Sequence, residues 1–217
     1  MYYRLRLGSF FVKKPSPPKD NALAQAEPLP LNFLWLELTS SCNNTCLHCY
    51  ATSGPCSNND CVPHERWLLL ISEARREGAT AIQLIGGEPL LYPQWRELVI
   101  KAHEEGFQFI EVFTNATLID DACIDFFKQY KVNIATTIYA GNAEMHDKVT
   151  RNPGSFEKTL AAIKKLKAAN IPLRVASIIM KANEQEPDNI ITLCTELGVE
   201  ARGPDVVRPT GRGDDQK

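Results

Sequence analysis

The sequence predicts an α/β protein built on a parallel β-sheet. Three observations carry this. From residue 32 onward, short apolar runs of strand length alternate with longer amphipathic runs of helix length. The helical runs carry start and stop signals, such as Pro63 before one and Gly78 after it. Polar and glycine-rich interruptions recur after the strands. Strands each separated by one helix require right-handed crossovers, which produce a parallel sheet.

Residues 33–38 (FLWLEL) form the first expected strand. A helix follows over 63–77, then a second strand over 81–85 and a helix over 94–105 that ends before Gly106. The third strand is 108–113, followed by a helix over 120–130 with Asp120 as its cap. The fourth strand is 132–138. The helix over 155–169 takes Ser155 as cap and repeats Leu160, Ile163 and Leu166 on one face. A fifth strand over 173–180, a helix over 188–197 and a sixth strand over 199–207 complete the pattern. Periodicity leaves two architectures open, a doubly wound open sheet and an incompletely closed barrel. Both place ligands beyond the carboxyl ends of the strands.

Ahead of these elements, residues 1–31 read as an N-terminal strand followed by a Pro-rich linker. Residues 32–210 form the core domain, and 211–217 a C-terminal tail. The 217 residues are 44% hydrophobic and 23% charged, which excludes a disordered or collagen-like chain. A net charge of -2 predicts no general attraction to nucleic acid or anionic membrane. No apolar run reaches the ~20 residues that span a bilayer, and no signal-peptide stretch is present. The expected location is cytoplasmic.

Every departure from the apolar pattern lies on the same end of the sheet. Residues 39–50 (TSSCNNTCLHCY) follow strand one, 86–89 (GGEP) strand two and 114–117 (TNAT) strand three. Thr136, Thr137 and Tyr139 end strand four, and 181–183 (KAN) follow strand five. Three of seven cysteines, Cys42, Cys46 and Cys49, are crowded into the first of these loops. A cytoplasmic chain keeps thiols reduced, so a metal site or redox thiol is expected rather than a disulfide framework. Soft sulfur ligands select zinc, copper(I) or iron–sulfur clusters. An ordinary [4Fe–4S] cluster takes four cysteines, so three leave one iron open to a substrate or cofactor.

Cys42-x3-Cys46-x2-Cys49, followed by the aromatic Tyr50 and placed directly after a first strand, resembles the signature of the radical S-adenosylmethionine (radical SAM) superfamily. Residues 86–89 resemble that superfamily's glycine-rich second motif. The resemblance covers about residues 32–210 and implies a radical SAM enzyme on a partial (β/α)6 TIM-type barrel. It implies that Cys42, Cys46 and Cys49 ligate three irons of a [4Fe–4S] cluster. The fourth iron would bind the amino and carboxylate groups of S-adenosyl-L-methionine (SAM). Gly86, Gly87 and Glu88 would meet the amino group. Asn115, Thr137 and Arg151 are similar in placement to residues that contact the ribose or carboxylate, and Tyr50 would approach the adenine. Reduction would yield methionine and a 5′-deoxyadenosyl radical that abstracts hydrogen from the substrate, with no further catalytic side chain assigned. An electron donor such as flavodoxin or ferredoxin is implied.

Residues 137–147 (TIYAGNAEMHD) resemble the Ser-Ile-Asp-Gly…His-Asp segment of peptide- and protein-modifying members, with Tyr139 and Ala140 in place of Asp-Gly. A peptide substrate follows as the expectation, with no nucleic-acid or membrane partner. The N-terminal strand could pair with a leader peptide by strand addition. Residues 208–213 (RPTGRG) resemble the approach to a Cys-rich SPASM domain, and the chain then stops. The expected protein is thus a SPASM-type maturase without that domain, as a shortened or split protein or a fragment. The alternative functions are a non-catalytic SAM- and peptide-binding partner, or a maturase of a protein or small cofactor precursor.

Plainer readings stand beside these. A structural zinc site would add His48, Cys56, Cys61 or His64 to the three cysteines. A thioredoxin-like disulfide motif would leave Cys42 unexplained. Residues 86–89 alone would be an ordinary β-to-α turn. His103 and His146 read as surface or capping residues, and Cys123 and Cys194 as buried small hydrophobes. Cys56 and Cys61 are loop thiols or ligands of something extra.

Overall fold

The computed structural model describes residues 31–57 and 62–216. Apart from Leu31, the expected N-terminal strand and linker lie outside the described residues, as does Cys61. The strands are β1 (Phe33–Glu37), β2 (Ala81–Ile85), β3 (Phe109–Phe113), β4 (Asn133–Thr137), β5 (Leu173–Ala176), β6 (Ile178–Ile179), β7 (Glu200–Ala201) and β8 (Asp205–Val206). The helices are α1 (His64–Arg76), α2 (Trp95–Glu104), α3 (Asp121–Gln129), α4 (Ala143–Thr150), α5 (Ser155–Ala168) and α6 (Pro187–Leu197). Among the described residues no helix is long and apolar enough to cross a membrane.

The main sheet is wholly parallel, in the order β1-β2-β3-β4-β5-β7. Each strand therefore lies beside its predecessor. A doubly wound sheet reverses direction at a switch point; this one never does. Uninterrupted sequential order is the winding of a (β/α) barrel, so the architecture is the partial TIM-type barrel.

Alternation along the strands divides two faces. Ile82, Leu84, Ile110, Val112 and Ile134 are at most 2% exposed and pack with Ile71, Leu98, Phe127 and Leu166 from the helices. The opposite face is polar at mid-strand. Arg174 donates from Nε and one Nη to the two carboxylate oxygens of Glu111 at 2.8 and 2.7 Å, and Gln83 donates to Glu111 as well. A carboxylate in that position needs such partners to be buried.

The departures from expectation have local causes. The fifth strand breaks at Ser177, whose hydroxyl turns to donate to the Ile138 carbonyl at 2.6 Å. The sixth breaks at Gly203-Pro204, because proline has no N–H for the ladder; its second half, β8, pairs with β6. Ser155 is the first residue of α5 rather than its cap, and Gly154 caps with φ +82°. Asp147 of α4 serves that helix end instead, accepting from Gly154 N, Ser155 Oγ and Phe156 N at 2.6, 2.8 and 2.9 Å. Residues 211–216, expected as a tail, form a short 3₁₀ stretch against the cysteine loop.

Candidate functional site

The cysteine loop leaves β1 and is held by backbone bonds from three directions. Cys42 N donates to the Gly54 carbonyl at 3.2 Å, closing the loop on itself. Thr45 N and Leu47 N donate to the carbonyls of Thr150 and Val149 at 3.0 and 2.9 Å. Those carbonyls lie in the last turn of α4, where helical C=O groups lack intrahelical partners. Asn152 fixes the same junction by donating to the Asn44 side chain at 2.7 Å.

This scaffold brings the three thiols into mutual electrostatic contact. Burial, then neighbouring Glu88 and Cys49, pushes the Cys42 thiol up to about 11. Burial, then Cys42 and Cys49, pushes Cys46 up to about 12. Thiols that oppose one another's ionisation in a shielded site lose protons most readily to a metal, which supplies the missing positive charge. Backbone N–H groups already face two of the sulfurs: Asn44 N to Cys42 Sγ and Ser53 N to Cys49 Sγ, each at 3.4 Å. Such donors stabilise metal-bound thiolate. Among the described residues no three such groups stand together as a site for a single metal ion, so the donor set fits a sulfur-ligated cluster of several metal ions rather than one ion.

Gly86 and Gly87 lie against the chain leading into Cys42. Gly87 N donates to Thr39 O at 2.7 Å and Glu88 N to Ser41 O at 2.8 Å. A Cβ on Gly87 would stand 2.2 Å from Ser41 O, and one on Gly86 2.6 Å from Thr39 O. The close approach that glycine permits thus serves the cysteine segment itself. Glu88 is fully buried, and its carboxylate accepts from Thr114 Oγ1, Asn115 N and Leu90 N at 2.7, 2.8 and 3.0 Å. Burial pushes it up to about 7 against the opposing pull of those bonds. The side chain ties the second strand's turn to the third strand's loop. Asn115 completes the link, donating from Nδ2 to Asn43 Oδ1 at 2.8 Å, with Cys42 Sγ at 3.9 Å.

The end of β4 closes another side. Thr137 hydrogen-bonds the Tyr139 phenol, which burial, then the three cysteines, pushes well up. The Tyr139 hydroxyl is 3.3 Å from His48 Nε2. His146, expected as a surface or capping residue, is 1% exposed and packs between Tyr139 and Phe156. Its Nδ1 accepts from Tyr139 N at 3.4 Å, and burial holds the imidazole down at about 4, hence neutral. Tyr139, Val149, Met180 and Leu47 make a small apolar cluster here.

The remaining expected residues separate. Tyr50 donates to Glu37 Oε1 at 2.8 Å and lies under the Arg208 guanidinium at 5.4 Å. Arg151 is exposed, at the left-handed C-cap of α4 beside Thr150. His64 is engaged elsewhere, by Tyr92 and Glu97, and Cys56 is exposed. Cys123 and Cys194 are core residues at 4% and 1% exposure, and His103 is exposed. Two features were not foreseen from sequence. One is the α4 support of the loop, whose signal was Asn142 as cap. The other is Arg212, which donates to Cys46 O and Ser53 O at 2.8 and 2.7 Å.

Residues 36–194 match the radical SAM superfamily. The chain is 32% identical over 187 residues to the AdoMet-dependent heme synthase of Methanosarcina barkeri, covering 86% of this chain and 53% of that protein. It is 32% identical over 164 residues to the sporulation killing factor maturation protein SkfB of Bacillus subtilis, covering 75% and 39%. The crystal structure of Streptococcus suis SuiB bound to S-adenosylmethionine superposes with a TM-score of 0.72 at 16% identity, covering 87% and 43%. The chain thus spans about half or less of the length of these proteins.

Proposed function

Because the chain belongs to the radical SAM superfamily, we propose that it holds a [4Fe–4S] cluster on Cys42, Cys46 and Cys49 and binds SAM beside it. The observation that carries this is the gathering of three thiols, Cys42 and Cys46 among them shielded, in one loop at the carboxyl end of the barrel, next to the Gly86-Gly87 turn. Bound there, the cluster and SAM would supply one-electron cleavage of a carbon–sulfur bond and a 5′-deoxyadenosyl radical that takes hydrogen from a substrate carbon. An external one-electron donor of the flavodoxin or ferredoxin kind would feed it.

The chain's own residues bind, orient and shield. Asn44 N and Ser53 N support the sulfurs. Gly86 and Gly87 are the residues whose backbone would meet the methionine amino group. Glu88 contributes through position, since its carboxylate is committed to Thr114, Asn115 and Leu90. Asn115, Thr137, Tyr50 and Arg151 are the polar residues from which the ribose, adenine and carboxylate contacts would be drawn. The apolar cluster around Tyr139 and Met180 limits water at the reacting centre.

The proposed substrate class is a ribosomally made peptide. The resemblance over residues 137–147 supports it, as does likeness to a protein named for maturing the sporulation killing factor. The heme synthase likeness, over 86% of this chain, favours a second reading, a small cofactor precursor. Anaerobic iron–sulfide reconstitution with SAM and dithionite tests the chemistry through release of 5′-deoxyadenosine. Mass spectra of a candidate peptide and of a tetrapyrrole precursor, before and after reaction, separate the two substrate classes.

A further inference from the structure

The geometry points to residues 208–213 as a bracket that holds the cysteine loop in its ligating shape, with Arg212 as its positioning residue. This rests on the reading of Cys42, Cys46 and Cys49 as cluster ligands. From Cys46 to Thr52 the loop closes on itself only through single turns. Cys49 N donates to Cys46 O at 3.3 Å and Thr52 N to Cys49 O at 3.2 Å. Arg212 reaches the same carbonyls from 166 residues away. Its Nε donates to Cys46 O at 2.8 Å, an Nη to Ser53 O at 2.7 Å, and its backbone N to Cys49 O at 3.1 Å. One side chain and its own amide thereby span the loop from the second ligand to beyond the third.

The flanking glycines are what let the segment come so close. Gly211 has φ +58°, and a Cβ there would lie 2.5 Å from Tyr50 O and 2.7 Å from Cys49 O. A Cβ on Gly213 would lie 2.3 Å from Arg208 O and 3.1 Å from His48 O. Arg208 adds a cation over the Tyr50 ring at 5.4 Å. A planar fork of fixed donors suits two carbonyls set apart, and lysine's single ammonium cannot reproduce it. With its Nε 2.8 Å from Cys46 O, the guanidinium also sets a positive charge beside the second cysteine. Positive charge beside a cluster ligand favours the reduced, more negative cluster. The bracket thus has two effects, loop shape and redox poise, and the two separate by substitution.

The test compares Arg212→Gln, Arg212→Lys and Gly211→Ala with the parent chain. In the metal-free reduced protein, backbone amide exchange over residues 45–54 is followed by mass spectrometry. All three variants are expected to exchange there about tenfold faster, as the loss of one or two charge-assisted bonds requires, with β3 and β4 unchanged. Exchange in the loop equal to the parent's overturns the bracket. In the reconstituted protein, the cluster's midpoint potential is expected to move negative in Arg212→Gln and to stay near the parent's in Arg212→Lys. An unmoved potential in Arg212→Gln overturns the charge assignment. A parent chain that takes up no iron overturns the reading of the cysteines and leaves the exchange arm, which needs no metal, still decisive for the bracket.

Discussion

Glu88 is a carboxylate with no exposed surface, and its burial sets a measurable pH dependence. Burial raises it from 4.5 to about 7, although Thr114, Asn115 and Leu90 all donate to it and pull the other way. The folded chain therefore binds a proton that the unfolded chain has released between those two values. Stability contributed by the neutral form is complete below about pH 4.5 and is lost as pH rises towards 7. A difference of about 2.5 pH units, at about 1.4 kcal/mol each, comes to roughly 3.5 kcal/mol over the whole titration. Glu88→Gln removes that titration but turns an amide towards one of the N–H donors, at a pH-independent cost of about 1–3 kcal/mol. The difference in unfolding free energy between parent and Glu88→Gln should thus favour the parent at pH 5 and shift against it by about 2.5 kcal/mol by pH 8, part of the titration being already complete at pH 5. Urea unfolding of the metal-free chain at half-unit pH steps measures this. Using the difference removes His146, whose depressed value makes stability rise between about pH 4 and 6.5 in both proteins. A flat difference curve from pH 5 to 8 would refute the argument that desolvation dominates at Glu88.

Gly87→Ala should cut iron uptake on reconstitution severely, because its Cβ would stand 2.2 Å from Ser41 O and displace the segment that delivers Cys42; iron and sulfide analysis checks it. Asp147→Ala should lower stability by about 2 kcal/mol at neutral pH, since three donors at the start of α5 lose their acceptor. Burial raises Asp147, but the bonds from Phe156, Gly154 and Ser155 outweigh it and hold the carboxyl low. That stability is present above the ordinary aspartate value and fades as pH falls through the lowered one, so parent and variant should converge in acid, read by urea midpoints. Cys194→Ala, in the core at 1% exposure, should cost about 1 kcal/mol by urea denaturation and leave iron content unchanged.

The strands and most helices were legible because parallel strands covered by helices read as apolar runs, as in β2 and β3. The position of the cysteines was legible because a parallel sheet concentrates its loops on one edge. α4 escaped because its buried face is only His146, Val149 and Thr150, too short a stripe for periodicity to detect. The same shortage of pattern made His146 read as a surface or capping residue. Glu88 could be seen to sit in a turn, but its inward rotamer depends on donors from β3's loop, 26 and 27 residues away. Arg212 was beyond reach for a related reason: no local rule connects it to Cys46 across 166 positions. The Gln83–Glu111–Arg174 row shows as single polar residues within apolar strands, a signal that alternation reveals only once the sheet's two faces are assigned.

The central claim is that three cysteines of one loop hold a cluster that acts on SAM. Anaerobic reconstitution of the parent chain and of Cys42→Ala, with iron, sulfide and 5′-deoxyadenosine measured on the same samples after SAM and dithionite, tests it most directly. Iron and sulfide matching one [4Fe–4S] cluster and release of 5′-deoxyadenosine are expected from the parent, with both lost in Cys42→Ala. A fully loaded parent that forms no 5′-deoxyadenosine, or a Cys42→Ala chain that loads and reacts like the parent, would contradict it.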